Sequence, residues 1–230
     1  MDKKVNVLLK AEAAEATDIS KIDTSWLKLA APVYKISPNL SDYVITTTIL
    51  TISDLPNRNG IGFPLEELTK FQVPPNNHLA YKGWAKCPIF YNHHNQDNEK
   101  ASGVVFDVQL RQIDGYNNNK LYKVIGVVGI DKTKNPELAR RVANGEVNTY
   151  SMGALADYFT CSYCGALIDE EHTCSHINGT AANVNFERVV DYEGNTHIAF
   201  LNAHNLSPFE LSVVEDPAWT AALSDVVLQS

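Results

Sequence analysis

Three of the four cysteines in this sequence, Cys161, Cys164 and Cys174, lie within fourteen residues, and the fourth, Cys87, stands far upstream. The opening residues lack the apolar core of a secretory signal, so we expect an intracellular protein whose thiols stay reduced. Clustered cysteines in such a protein indicate metal binding rather than disulfides. Cys87 stands among apolar residues, which predicts a buried core thiol.

The spacing within the cluster indicates the metal. Cys161 and Cys164 form a C-x-x-C pair, in which one tight turn brings two thiolates to the same ion, with Gly165 relieving backbone strain. Cys174-Ser175-His176 adds a thiolate and an imidazole, and a closed tetrahedral Cys₃His set is typical of structural zinc. His172 is an alternative fourth ligand. The sequence therefore predicts a structural Zn²⁺ held by Cys161, Cys164, Cys174 and His176.

Length and composition limit the class of protein. A chain of 230 residues that is 44% hydrophobic can bury a core as one domain. Its net charge is −8, and Arg188 is the only Lys or Arg after Cys164. Nucleic-acid binding needs clustered positive charge, so we do not expect it as the main function. No apolar run approaches the roughly 18 residues of a membrane span.

Local patterns predict more strands than helices. The β-branched run Tyr43–Ile52 reads as a strand, and residues 103–113 and 120–130 flank an Asp-Gly-containing loop that favours a hairpin. Residues 135–145 carry the signals of a helix, with Asn135 as N-cap, Pro136 in the first turn and Gly145 at the end. A strand over residues 147–159, with Ser151 in its middle, leads into the cysteine cluster.

The remaining sequence continues this pattern. Residues 184–190 and 196–201 predict a second hairpin, residues 209–214 a strand, and Asp216-Pro217 the start of a helix. Strands joined by turns outnumber helices, which predicts an α+β fold with a mainly antiparallel sheet or barrel.

Two further elements carry reactive side chains. His93 and His94 are adjacent, and on an extended segment they would face opposite ways, so at most one would enter a given site. A metallohydrolase using this pair is an alternative, although the pair lacks the i, i+4 spacing that brings two imidazoles to one metal. Ser151 would need a base to act as a nucleophile.

The order of these motifs resembles the prohead maturation proteases of tailed phages, and most closely the T-even-type prohead core protease group. A His-Asn element at His94-Asn95 precedes the strand that begins at Gly103, and a helix ending in Gly145 precedes Tyr150-Ser151-Met152-Gly153. The likeness extends through the cysteine elements to residues 209–218 and covers roughly residue 81 to the C-terminus.

The resemblance implies a herpesvirus-assemblin-like fold, a β-barrel flanked by helices, with residues 1–230 as a single protease domain and 161–176 as a zinc-knuckle insertion. It implies a serine endopeptidase that cleaves phage scaffold, core and capsid proteins inside the assembling prohead, in the host cytoplasm. A homo-oligomer is compatible with it. The alternative is a non-catalytic, zinc-stabilised structural or scaffold-associated protein.

The resemblance also implies roles for individual residues. Ser151 would be the nucleophile and His94 the general base, with His93 as the alternative. Asp131, at the end of a predicted strand, would be the third member of the triad. The oxyanion donors would be the backbone N–H groups of Met152 and Gly153, or the arginines of the 135–145 helix, Arg140 and Arg141.

Overall fold

The computed structural model describes residues 19–114, 120–177, 187–219, 222 and 224–229. Three α-helices lie in these ranges: α1 Leu27–Tyr34, α2 Leu65–Leu68 and α3 Pro136–Ala143. The strands are β1 Tyr43–Ile52, β2 Ile61–Gly62, β3 Phe71–Gln72, β4 His78–Leu79, β5 Pro88–Tyr91, β6 Gly103–Asp114, β7 Lys120–Asp131, β8 Tyr150–Leu155, β9 Tyr158–Cys161, β10 Leu167–Ile168, β11 Glu187–Val190, β12 Thr196–Ala199, β13 Leu201–His204, β14 Ser207–Val213 and β15 Ser224–Gln229.

The largest sheet has seven strands in the order β15-β1-β7-β6-β5-β14-β8 and curls into a half-barrel. All of its pairs are antiparallel except β5 with β14. This arrangement confirms the α+β class and the mainly antiparallel sheet. A smaller sheet, in the order β10-β9-β13-β2, carries the start of the cysteine cluster. The ribbons β3-β4 and β11-β12 complete the described strands.

Strand β1 is buried at all ten positions because both faces of the large sheet are covered. Val44 belongs to a core cluster that includes Leu138 of α3, whereas Tyr43 belongs to a second cluster that includes Leu27 of α1. Neighbouring residues of a strand face opposite sides, so the dense β-branched sequence suits a strand that is buried on both faces. The predictions of this strand and of the β6–β7 hairpin are confirmed.

Helix α3 forms as its sequence signals predict. The Asn135 side chain accepts a hydrogen bond from Leu138 N at 3.2 Å, and Gly145 follows the helix with a φ of +71°. Leu138 and Val142 are buried on the same face. The helix is therefore capped at its start and packed against the sheet through one apolar stripe.

Three predictions from the sequence differ from the structure in their bounds or in the type of element. Residues 147–159 form two strands, β8 and β9, which enter different sheets with Ala156 and Asp157 between them. The predicted second hairpin is present as β11 and β12, and residues 184–186 lie outside the described residues. The predicted helix at Asp216 is wrong: β15 follows this segment, and the Asp216 carboxylate accepts a hydrogen bond from Arg58.

Within the ranges given above, the chain has no helix long and apolar enough to cross a membrane.

Candidate active site and metal cluster

Strand β14 lies between β5 and β8, and this order brings three parts of the chain together. Ser212 of β14 lies opposite Ser151 of β8, and Glu210 lies opposite Gly153. Residues two apart on a strand share a face, and directly opposed residues of an antiparallel pair share it too. Glu210, Ser212 and Ser151 therefore lie on one face of the sheet.

A tight turn after β5 brings a histidine to the same face. Asn92 and His93 have left-handed φ values of 48° and 57°, and Asn92 N donates to Val213 O of β14 at 2.9 Å. His93 N then donates to Ser212 Oγ at 3.2 Å, and His93 Nδ1 lies 2.7 Å from Glu210 Oε1. The turn thus places the imidazole of His93 against the carboxylate of Glu210.

This pair has the electrostatics of an oriented base. The Glu210 side chain is 2% exposed and that of His93 is 46% exposed. The hydrogen bond to Glu210 raises the pKa of His93, which its partial burial opposes. With the carboxylate on Nδ1, His93 Nε2 has no hydrogen-bond partner among the described residues. The ring therefore has one fixed nitrogen and one nitrogen free to exchange a proton.

The two serines on this face differ in accessibility. Ser212 is fully buried, and its hydroxyl donates to Glu210 Oε2 at 2.7 Å. Ser151 is partly exposed, and its hydroxyl makes no hydrogen bond within the described part of the chain. Opposed side chains on antiparallel strands have Cβ atoms about 5 Å apart. Ser151 is therefore the accessible hydroxyl on the sheet face that carries Ser212 and Glu210.

The other predicted triad members make different contacts. The His94 side chain is exposed and forms no hydrogen bond in the ranges described. Asp131 is fully buried: its Oδ2 accepts from Ser37 N at 2.6 Å, and its Oδ1 accepts from Thr133 N at 2.7 Å and Lys134 N at 3.2 Å. Asp131 thus fixes the turn before α3, and the geometry favours His93 and Glu210 over His94 and Asp131.

His93 and His94 were expected to face opposite ways because the segment was taken to be extended. Asn92 and His93 instead form a left-handed turn, so that expectation does not apply. The sequence contains only a weak indication that Glu210 belongs to the candidate site. It stands two residues before Ser212 in a predicted strand, so both had to share a face. The sequence did not indicate which strands lie on either side of β14, and therefore which side chains Glu210 contacts.

The candidate oxyanion donors are also separated. The ladder bond from Val214 N to Thr149 O shows that alternate N–H groups of β8 point away from β14. Met152 N–H therefore faces the outer edge of β8, where Tyr150 N donates to Ala222 O at 2.9 Å. Arg140 is bound by Glu137 and Glu146. Arg141 approaches the Tyr91 hydroxyl at 3.5 Å.

The four predicted metal ligands are brought together: one ligand atom from each of Cys161, Cys164, Cys174 and His176 lies within 4.8 Å of the others. Tetrahedral zinc needs comparable separations, about 3.5–4 Å between ligand atoms. Cys161 ends β9, and Gly165, with a φ of +72°, closes the turn by donating to Cys161 O at 2.9 Å. His172 instead pairs with Asp169, its Nδ1 lying 2.8 Å from Oδ1.

The chemistry of these groups fits a cation. The Ala166 N–H is the main cause that lowers the pKa of Cys164 to about 7, which favours its thiolate, whereas burial raises the pKa of Cys161 to about 11. His176 Nδ1 is buried without a hydrogen-bond partner. Three thiols and one imidazole whose ligand atoms lie within 4.8 Å of one another form a Cys₃His set, so the cluster could bind zinc.

Cys87 is outside this cluster. It is buried, its thiol donates to Gly83 O at 3.2 Å, and burial raises its pKa to about 12. The prediction of a core thiol is confirmed.

Searches against protein-family models, curated proteins and solved structures gave no match to this chain.

Proposed function

We propose that the protein is a serine endopeptidase in which Ser151 is the nucleophile, His93 the general base and Glu210 the carboxylate that orients it. The observation that carries this proposal is the 2.7 Å contact between His93 Nδ1 and Glu210 Oε1, on the sheet face that also presents Ser151. A partly exposed serine on the same face as an imidazole held by a buried carboxylate supplies the three groups that nucleophilic acyl transfer uses.

The proton movements follow from this geometry. Glu210 Oε1 accepts a hydrogen bond from His93 Nδ1–H, which keeps the proton on Nδ1 and leaves Nε2 as the basic nitrogen. As Ser151 Oγ attacks a peptide carbonyl, its proton passes to Nε2 and then to the departing amine. Water then attacks the acyl-enzyme; its proton passes to His93 Nε2 and from there to Ser151 Oγ as the ester bond breaks. Met152 N–H, on the outer edge of β8, is the candidate donor to the oxyanion.

Zinc would have a structural part in this protein. Cys161, Cys164, Cys174 and His176 would hold Zn²⁺ as a closed site, which leaves no open position for water activation. The ion would supply cross-linking of the turn after β9 to the segment around His176. Because β9 follows β8 after Ala156 and Asp157, the site would stabilise the chain as it leaves the strand of Ser151.

We also propose a biological role for this protease activity, in the maturation of phage proheads. The order of the histidine, serine and cysteine motifs supports a prohead maturation protease with an assemblin-like fold, acting on phage scaffold, core and capsid proteins. The substrates would be processed within the assembling prohead in the host cytoplasm. The alternative, a non-catalytic structural protein, predicts the same metal cluster without cleavage.

A matched pair of histidine variants tests the base. His93→Ala is expected to lower the rate of scaffold cleavage about 100-fold or more, because general-base catalysis contributes 10²–10⁴-fold. His94→Ala is the control, since its exposed side chain pairs with no carboxylate among the described residues, and we expect near-parental cleavage. The rates are compared by gel densitometry. Loss of activity in His94→Ala alone would assign the base to His94.

Gly153 tests whether Glu210 must keep its position. A Cβ at residue 153 would lie 2.7 Å from both Glu210 Cγ and Phe209 Cζ and 2.8 Å from Glu210 Oε1. Gly153→Ala is therefore expected to displace the carboxylate and slow cleavage at least tenfold. Gly62→Ala, in β2 of the smaller sheet, is the control, because its Cβ would lie 2.5 Å from Phe200 Cε2. Cleavage is measured at a temperature below the melting temperatures of the Gly153→Ala and Gly62→Ala variants. Equal rates in the two variants would count against a role for the Glu210 position.

A further inference from the structure

Ser212 closes a ring of hydrogen bonds around the proposed base. Its Oγ accepts the backbone N–H of His93 at 3.2 Å and donates to Glu210 Oε2 at 2.7 Å. The other carboxylate oxygen, Oε1, lies 2.7 Å from His93 Nδ1. One fully buried hydroxyl therefore contacts both the main chain of the histidine and the carboxylate that holds its ring.

We infer that Ser212 is a positioning residue for the proposed protease, which fixes the His93 turn and the Glu210 carboxylate relative to each other. This inference rests on the proposed function. Ser212 does not contact substrate in this account, because it is fully buried and Ser151 presents the accessible hydroxyl on the same face.

The backbone of His93 needs such a partner. A φ of 57° lies in the left-handed region, which residues other than glycine adopt uncommonly. Asn92 N–H is held by Val213 O and His93 N–H by Ser212 Oγ, so both amides of the turn are bound to β14. Without the Ser212 hydroxyl, the second of these amides loses its acceptor.

The Glu210 carboxylate needs a second contact as well. A carboxylate bound through one oxygen can rotate about its side-chain torsions, whereas contacts at Oε1 and Oε2 fix its plane. Residues that hydrogen-bond to metal-binding side chains change affinity or activity by about 10–100-fold when they are removed. We expect the same range for a residue that hydrogen-bonds to the partner of a catalytic base. We therefore expect Ser212→Ala to lower kcat of cleavage by about 10–100-fold, with KM changed much less.

The experiment compares Ser212→Ala with Ser53→Ala. Ser53 is also fully buried and accepts a backbone N–H, from Tyr122 at 3.0 Å, but it makes no contact with His93 or Glu210. Both variants lose a buried hydroxyl that accepts a backbone N–H, and Ser212→Ala also removes the donor to Glu210. A fall in kcat confined to Ser212→Ala therefore supports a role at the His93–Glu210 pair. Ser212→Thr keeps the hydroxyl and is expected to restore activity.

A second readout is independent of cleavage. The ring of His93 is titrated by NMR in a Ser151→Ala background, where Ser212→Ala is expected to move the midpoint toward the ordinary histidine value of about 6.5. Ser53→Ala should leave the midpoint unchanged. If Ser212→Ala fails to fold, the near-isosteric Ser212→Cys is titrated instead.

The outcomes separate the two proposals. An unchanged His93 midpoint in the Ser212 variant would overturn the positioning role, whatever the cleavage assay gives. A shifted midpoint with Ser53→Ala unaffected supports it. A parent protein that cleaves no scaffold would overturn the protease proposal, and with it a positioning role in catalysis.

Discussion

Ser151→Ala is expected to reduce scaffold cleavage by several orders of magnitude, because a covalent step cannot proceed without its nucleophile. The fold should be unaffected: the Ser151 hydroxyl makes no hydrogen bond among the residues described, and a typical one contributes only about 1 kcal/mol. Cleavage of a purified phage scaffold protein is followed by electrophoresis and mass spectrometry. The melting temperature is measured in parallel.

Ser207→Ala is the matched control, since Ser207 is an exposed residue at the start of β14, opposite Leu155. It should cleave at the parental rate. Parental cleavage by Ser151→Ala would instead remove the proposed nucleophile.

Loss of the metal site is expected to produce the largest change in stability. His176→Ala should lower the zinc content from about one equivalent per chain and reduce the melting temperature by about 10 °C, because structural zinc contributes several kcal/mol and each kcal/mol corresponds to about 2–4 °C in a chain of this size. Metal content is measured by mass spectrometry and unfolding by calorimetry.

His172→Ala is the control for this site. Its ring is exposed and pairs with Asp169, so we expect full zinc content and little change in melting temperature. Zinc retained in His176→Ala and lost in His172→Ala would reassign the fourth ligand. Absence of zinc from the freshly reduced parent would contradict the site altogether.

The size of the expected effect follows from the small core near the cluster. The buried residues there form a group separate from the cores of the large sheet, namely Cys161, Ile168, Ile177, Ala199 and Leu201. So small an apolar cluster supplies little stabilisation, and one of its members is itself a proposed ligand. Removing the metal is therefore expected to loosen the turn after β9 before the seven-stranded sheet.

Local signals predicted the elements whose stability depends on local chemistry. The Asn135 cap, Pro136 and Gly145 define α3, and the β-branched run defines β1. The cysteine spacing predicted a cluster because its ligands are close in sequence and joined by tight turns. These features need little information about distant parts of the chain.

The features that sequence analysis missed depend on long-range pairing. Glu210 reaches His93 only because β14 lies beside β5, and that parallel pair joins strands far apart in sequence. The left-handed turn at His93 is likewise held by β14. Asp216 was expected to cap a helix, but it pairs with Arg58, which is 158 positions earlier. No local pattern specifies such partners.

Labelling with a fluorophosphonate probe tests the central claim most directly, because this reagent reacts with a serine only where a base activates it. Intact-mass spectrometry should show one adduct per chain, and peptide mapping should place it on Ser151. The adduct should disappear in His93→Ala and persist in His94→Ala. No adduct on the folded, zinc-loaded parent, or an adduct that persists in Ser151→Ala, would contradict the account.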